Sequence, residues 1–282
     1  MPQENPLQIE LLPGSRELLG LHARELPQRD DLCGAFCGAL ALGSAGITAH
    51  GGEPVDQDAV ALAAGSVISG VREAGTLPHG EPGRRDYRIE LPLIDDSDAS
   101  GTTAAGLLDA IERLSDEALA AIPYAGPWNG GTLAGLFELV AALAHPVTLI
   151  ANLATRHLWG GRPSVNQMLG YLHDGEAQGP PPDWDVGHFA CVFARVRGPG
   201  ASLYCLADTY PTLGNAGVHL QPQERLASAL ERRDMPAGGM IVVTAAEDAA
   251  SVRAGAAVLG LREGIWDNGT VVVEPPSGEP SR

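Results

Sequence analysis

Two apolar runs, 187–196 and 202–207, flank the pentapeptide Arg197-Gly198-Pro199-Gly200-Ala201. Two strand-like runs joined by a short Gly-containing link read as a β-hairpin. In an antiparallel pair, the start of the first strand lies beside the end of the second. His188 starts the first run and Asp208 follows the second. Their numbers sum to 396, twice 198, which is where the turn falls, so the hairpin predicts them as approximate partners. Residues twenty apart in sequence thereby become neighbours.

The rest of the chain supplies helices first and strands later. Helical spacing covers 15–25 and stops before Pro27, since proline disfavours a helical residue ahead of it. The Ala/Leu-rich run 32–45 reads as a buried helix, with Asp30 and Asp31 as N-cap types. Further helices are predicted over 56–73, 102–114 (capped by Thr102 or Thr103), 132–144, 164–173, 223–233 and 247–259. Further strands are predicted over 87–94, 146–153, 239–244 and 270–273. Segments 75–86, 95–101, 125–131 and 178–185 read as loops, and 1–13 and 275–282 as polar tails. This segregation implies an α+β fold rather than a parallel α/β sheet. The expectation is a single domain over 1–282, with a helical lobe at about 15–145 and a strand-rich lobe at about 146–274.

A formal charge of −17 disfavours non-specific contact with nucleic acid or anionic membranes. No apolar run reaches the roughly 20 residues that span a bilayer. The start, Met1-Pro2-Gln3-Glu4, lacks a basic and then apolar signal. Four cysteines in 282 residues do not make a disulfide scaffold. The expected setting is cytoplasmic, with reduced thiols and no cofactor.

Cys33 opens the helix at 32–45, where the helix terminus carries partial positive charge that favours a thiolate. An imidazolium from His188 would stabilise the anion further, and Asp208 would fix the ring's orientation. Gln28, five residues ahead of Cys33, would donate a side-chain N–H to an oxyanion.

At these residues the chain resembles the double-glycine leader peptidases, papain-like domains that process bacteriocin precursors. The resemblance lies in Gln28 ahead of Asp31-Leu32-Cys33-Gly34, in Gly101-Thr102-Thr103-Ala104 at a helix start, in Gly187-His188-Phe189 leading an apolar strand, and in Asp208 closing the next strand. It implies a papain-like fold, with a helical lobe whose cysteine-bearing helix packs on an antiparallel sheet. It also implies a cysteine peptidase or acyl transferase acting on a peptide or precursor peptide through a Cys33 thioester. The chain departs from that pattern in four ways. Leu32 is inserted between Asp31 and Cys33, Gln28 is one residue closer to the cysteine, Thr209 follows Asp208, and 155 residues separate Cys33 from His188. An insertion near 120–180 would absorb that distance. Papain's own cysteine motif fits less well, because it sets Phe36 at the nucleophile.

Other readings stand beside this one. A non-catalytic relative would keep the fold and bind a peptide or a partner protein. Cys33, Cys37 and His188 include a finger-like Cys-x₃-Cys spacing, yet no fourth zinc ligand lies at a good interval. Cys37, Cys191 and Cys205 read as core. His157, Trp128 and Trp159 sit beside Gly-rich turns and would line either a cleft or the core. Asp95, Asp96 and Asp98 lack the downstream Glu of a calcium loop and read as surface.

Overall fold

The computed structural model describes residues 7–71, 75–160, 162–175, 178–182 and 184–273. In chain order the elements begin with β1 (Gln8–Leu11), α1 (Ser15–Glu25), α2 (Cys33–Ser44), β2 (Ala49–His50), β3 (Glu53–Pro54), α3 (Gln57–Ala63), β4 (Ile68–Ser69), β5 (Leu93–Ile94) and α4 (Ala104–Leu114). They continue with β6 (Leu119–Tyr124), α5 (Gly130–Ala141), β7 (Thr148–Ala154), α6 (Val165–Asp174), β8 (Gly187–Arg197), β9 (Ser202–Ala207), β10 (Val218–Pro222), α7 (Gln223–Glu231), β11 (Gly239–Ala245) and α8 (Ala249–Val258). The class is α+β. One antiparallel sheet runs β10-β9-β8-β7-β11-β6, and β1 pairs with the far half of β8.

Alternation along the strands splits the interior in two. Phe189, Cys191 and Phe193 of β8 face one core, together with Ile150, Ile241 and Val243. Ala190 and Val192 face the other, together with Leu149, Ala151 and Val242. Helices α2 and α4 cover the first face through Phe36, Leu40, Leu107 and Ile111. Helices α5, α7 and α8 cover the second through Phe137, Leu230 and Val252. Each large apolar side chain buried this way contributes roughly 1.5–3 kcal/mol. The sheet is therefore the middle of three layers. Strand β6, inside the range 15–145, forms its edge beside β11.

Helix α2 is apolar on every side, which only a helix surrounded by protein tolerates. Every residue from Gly34 to Leu42 is buried. It packs on β8 and contacts α1, α3 and α4, so Cys33 is carried by the most enclosed helix of the molecule.

Several expectations differ from the structure. The segment 1–13 is not all tail: 8–11 pairs with β8 in register Gln8↔Arg197, and Glu10 bonds the Arg195 guanidinium across that pair. Residues 1–6 and 274–282 lie outside the described residues. The helix over 56–73 stops at Ala63, where Gly65 takes a φ of 65°. The strand over 87–94 shrinks to Leu93–Ile94, the two residues that pair with Ile68 and Ser69; Tyr87 packs against the core without joining a strand. The segment 270–273 is not a strand; Val271 only donates its N–H to the Ala99 carbonyl. Strands β6 and β10 were not anticipated. The hairpin forms, but its register is Cys191↔Ala207, a sum of 398 rather than 396. Continuing that ladder sets Asp208 opposite Ala190, so His188 and Asp208 are diagonal neighbours rather than direct partners.

Candidate active site

Cys33, His188 and Gln28 line one cleft of about 600 Å³. Asp208 lies directly behind the imidazole. His188 Nε2 is 2.9 Å from Asp208 Oδ1, and both residues are buried. With Nε2 so engaged, Nδ1 is the nitrogen left to the cleft that the Cys33 thiol also lines, and the thiol is near enough to act on the ring's ionisation. The three groups form a line from a half-buried thiol to a buried carboxylate.

Local structure explains each position. Cys33 is the first residue of α2, and no side chain caps that helix. The expected cap fails because Leu32 occupies the N-cap position. Asp31 sits at a φ of 67° and accepts the Ser69 N–H at 2.8 Å. Asp30 accepts the Arg84 N–H at 2.8 Å. The two carboxylates pin neighbouring loops and leave the helix terminus uncapped. Gln28 is fixed by its backbone N–H, which donates to the Thr209 carbonyl at 2.9 Å. Arg29 donates its N–H to Gln57 and pairs with Asp58 at 2.9 Å. The Gln28 side chain is 2 % exposed, yet its Oε1 has no hydrogen-bond partner. The protein makes no use of that oxygen.

Asp208 is the most heavily bonded group in the site. Its Oδ1 also accepts the Thr209 N–H at 2.7 Å, and its Oδ2 accepts from His219 Nε2 at 2.9 Å. Its main-chain carbonyl accepts from His22 Nε2 at 2.6 Å. Gln221 fixes the His219 tautomer. The Trp159 N–H donates to Gln221 Oε1 at 2.7 Å, and Gln221 Nε2 donates to the Trp159 carbonyl at 3.0 Å. That clamp orients the amide, so its nitrogen also faces His219 Nδ1 at 3.0 Å. An amide nitrogen only donates, so Nδ1 accepts and the proton of His219 is on Nε2, aimed at Asp208.

The charges follow. Burial alone would push His188 down, but the Asp208 charge and hydrogen bond, and then the Cys33 thiol, outweigh it and push it up to about 10. Burial alone would raise Asp208. The His188 charge and the bonds from both histidines instead hold it well below the usual carboxylate range. The pair is an imidazolium beside a carboxylate. Burial pushes the Cys37 thiol up and the Cys205 thiol up to about 12, and both are packed in the core. The Cys191 thiol donates to the Cys37 carbonyl at 3.9 Å. Among the four cysteines only Cys33 is not fully buried.

Aromatic rings wall the imidazole. Trp184 meets His188 edge-on at 4.8 Å between centroids, and Tyr210 stacks on it at 6.1 Å and 16°. Neither residue was anticipated, because Trp184 lies in a Pro-rich loop with no periodicity. His219 and Gln221 were missed too. Their signal is two polar residues at alternate positions of an otherwise apolar run, 218–222. Trp128 and Trp159 are buried and pack in the core, the latter edge-on against Tyr171 at 5.7 Å. His157 lies outside the cleft lining. Asp95, Asp96 and Asp98 are exposed, and Asp96 and Asp98 also line the cleft. Among the described residues no group of three or more His, Cys, Asp or Glu is arranged to hold a metal ion, and no helix is long and apolar enough to cross a membrane.

Fold and site together define an α+β protein with a Cys–His–Asp line at the head of a cleft. The chain belongs to a family of unknown function, DUF6885, which matches residues 12–267. No curated protein matches it.

Proposed function

We propose that this protein is a papain-like cysteine enzyme that cleaves or transfers a peptide amide bond through a thioester on Cys33. The observation that carries the reading is the line Cys33–His188–Asp208, with the thiol at a helix start and the imidazole held by a buried carboxylate.

The Cys33 thiolate attacks the amide carbonyl carbon, and the carbonyl oxygen takes the electron pair. The Gln28 amide and the uncapped N–H groups of α2 receive that oxyanion; one such donor contributes roughly 3–4 kcal/mol in a comparable enzyme. His188 gives its proton to the leaving nitrogen as the C–N bond breaks, which leaves a thioester and a free amine. Water or a second amine then attacks the thioester, His188 takes its proton, and the C–S bond breaks to release the Cys33 thiolate with an acid or a new amide. Asp208 holds the ring throughout without changing protonation. Trp184 and Tyr210 keep water off the imidazole–carboxylate contact.

4-Nitrophenyl acetate tests this without knowledge of the natural substrate. The expected result is a burst of nitrophenolate stoichiometric with protein, the acetyl group mapped to Cys33 by mass spectrometry, and loss of the burst in Cys33→Ser. Acetylation no faster than that of free cysteine would instead favour a binding module that keeps the fold without the chemistry.

A further inference from the structure

Arg232 lines the same cleft, and the proposed mechanism does not use it. It follows the last turn of α7 with a φ of 44° and a ψ of 49°, a left-handed conformation uncommon for a side chain of this size. It is 3 % exposed. A buried guanidinium is normally paired, because an unpaired buried charge is costly. Among the described residues no carboxylate pairs with Arg232. Its Nη1 donates to Asn152 Oδ1, and its Nε is buried with no partner at all. Burial lowers it to about 10, and the neighbouring Cys33 charge acts in the opposite sense. The guanidinium is thus close enough to the nucleophile to feel it.

The surroundings are built to admit this side chain. A Cβ on Gly187 would stand 2.6 Å from Arg232 Nη2, and one on Gly238 would stand 2.2 Å from Arg232 Cδ. Two glycines leave the slot through which the arginine reaches the cleft. Asn152 anchors it from the central strand β7, and its amide nitrogen is 3.5 Å from the His188 carbonyl. The cation is held in place and lacks its anion.

We infer that Arg232 receives a carboxylate of the substrate, so that the enzyme selects peptides bearing a free carboxylate beside the carbonyl that Cys33 attacks. Guanidinium and carboxylate match as planar forks, and the unpartnered Nε–H supplies one tine. The carboxylate is a chain terminus or an acidic side chain; both present the same group. This inference rests on Cys33 being the nucleophile of the cleft.

Iodoacetate and iodoacetamide test it on the full chain. In both, the Cys33 sulfur forms a bond to the methylene carbon and iodide leaves, so they differ only in carboxylate against amide. For wild type, the ratio of iodoacetate to iodoacetamide rates should exceed that of free cysteine. In Arg232→Gln, with His188 still charged, the ratio should fall about tenfold or more, the iodoacetate rate falling well beyond any fall in the iodoacetamide rate. Arg232→Lys should recover part of the ratio. An unchanged ratio overturns the inference, as does a fallen iodoacetamide rate with an unchanged ratio, which would assign Arg232 to the thiol instead. A wild-type iodoacetamide rate like that of free cysteine would sink the catalytic reading separately. Protection of wild type needs no variant. N-acetylglycine (a chain-end carboxylate) or N-acetylglutamate α-amide (a side-chain carboxylate) should slow iodoacetamide, whichever matches the substrate, and their fully amidated forms should not. Equal protection by acids and amides overturns the inference.

Discussion

His188 Nε2 stands 2.9 Å from Asp208 Oδ1 with both residues sealed from solvent. The contact couples two ionisations to folding. Between the ordinary imidazole value of 6.5 and about 10, folded His188 keeps a proton that the unfolded chain releases. Folding stability from this group is complete below 6.5 and is lost as pH rises through that window. Asp208 acts oppositely: its contribution is complete above its ordinary 3.8 and fades as pH falls through its depressed folded value. Urea midpoints of wild type should decline from about pH 6.5 to 10, and those of His188→Gln should decline less. Parallel slopes would contradict the charged pair.

His219 should act as a positioning residue. It supplies the second donor to Asp208 and is itself locked by Gln221. In His219→Ala, kcat on a nitrophenyl ester should fall about 10–100-fold, in the range seen when outer partners of an active site are removed. KM should hold, and the acid limb of the kcat profile should move. His219→Gln, which retains an N–H donor, should recover part of the loss. A variant that loses stability but not kcat would make His219 merely structural.

For Gln28→Ala the expected loss is about 10²–10³ in kcat with KM unchanged, the signature of a donor used only in the transition state. Stability should change little, since Oε1 has no partner to lose. A rise in KM alone would remove Gln28 from the oxyanion site.

Asn152 accepts from both Arg232 and the Trp266 indole N–H, the latter at 3.1 Å. Asn152→Ala leaves two buried donors without an acceptor, and each costs about 1–3 kcal/mol. Chemical denaturation should show a loss of that size. A loss below about 0.5 kcal/mol would mean that water takes over both bonds.

The site was more legible in the chain than the layers around it. The hairpin turn at 197–201 carries its own chemistry, so the approach of His188 to Asp208 could be read locally. The register could not: beside the turn the partners sum to 399 (Arg197↔Ser202), and the irregularity between Val192 and Ala194 brings the sum to 398. Helix α1 matched its spacing from end to end, since Pro27 stops it. Helix α3 ran long on paper because Ala favours helix wherever packing does not intervene, and Gly65 intervenes. The pairing of β1 and of β6 depends on partners more than a hundred residues away, which no local pattern encodes. Arg232 shows the same limit: its sequence neighbours are ordinary, and only the fold sets it between Gly187 and Gly238.

The account rests most directly on the Cys33–His188 contact, and the pH dependence of Cys33 alkylation by iodoacetamide measures it. The other three cysteines are buried, and peptide mapping assigns the label. The predicted result is a neutral-pH rate well above that of free cysteine, which His188→Ala loses. A wild-type profile that overlays the His188→Ala profile would contradict the central claim.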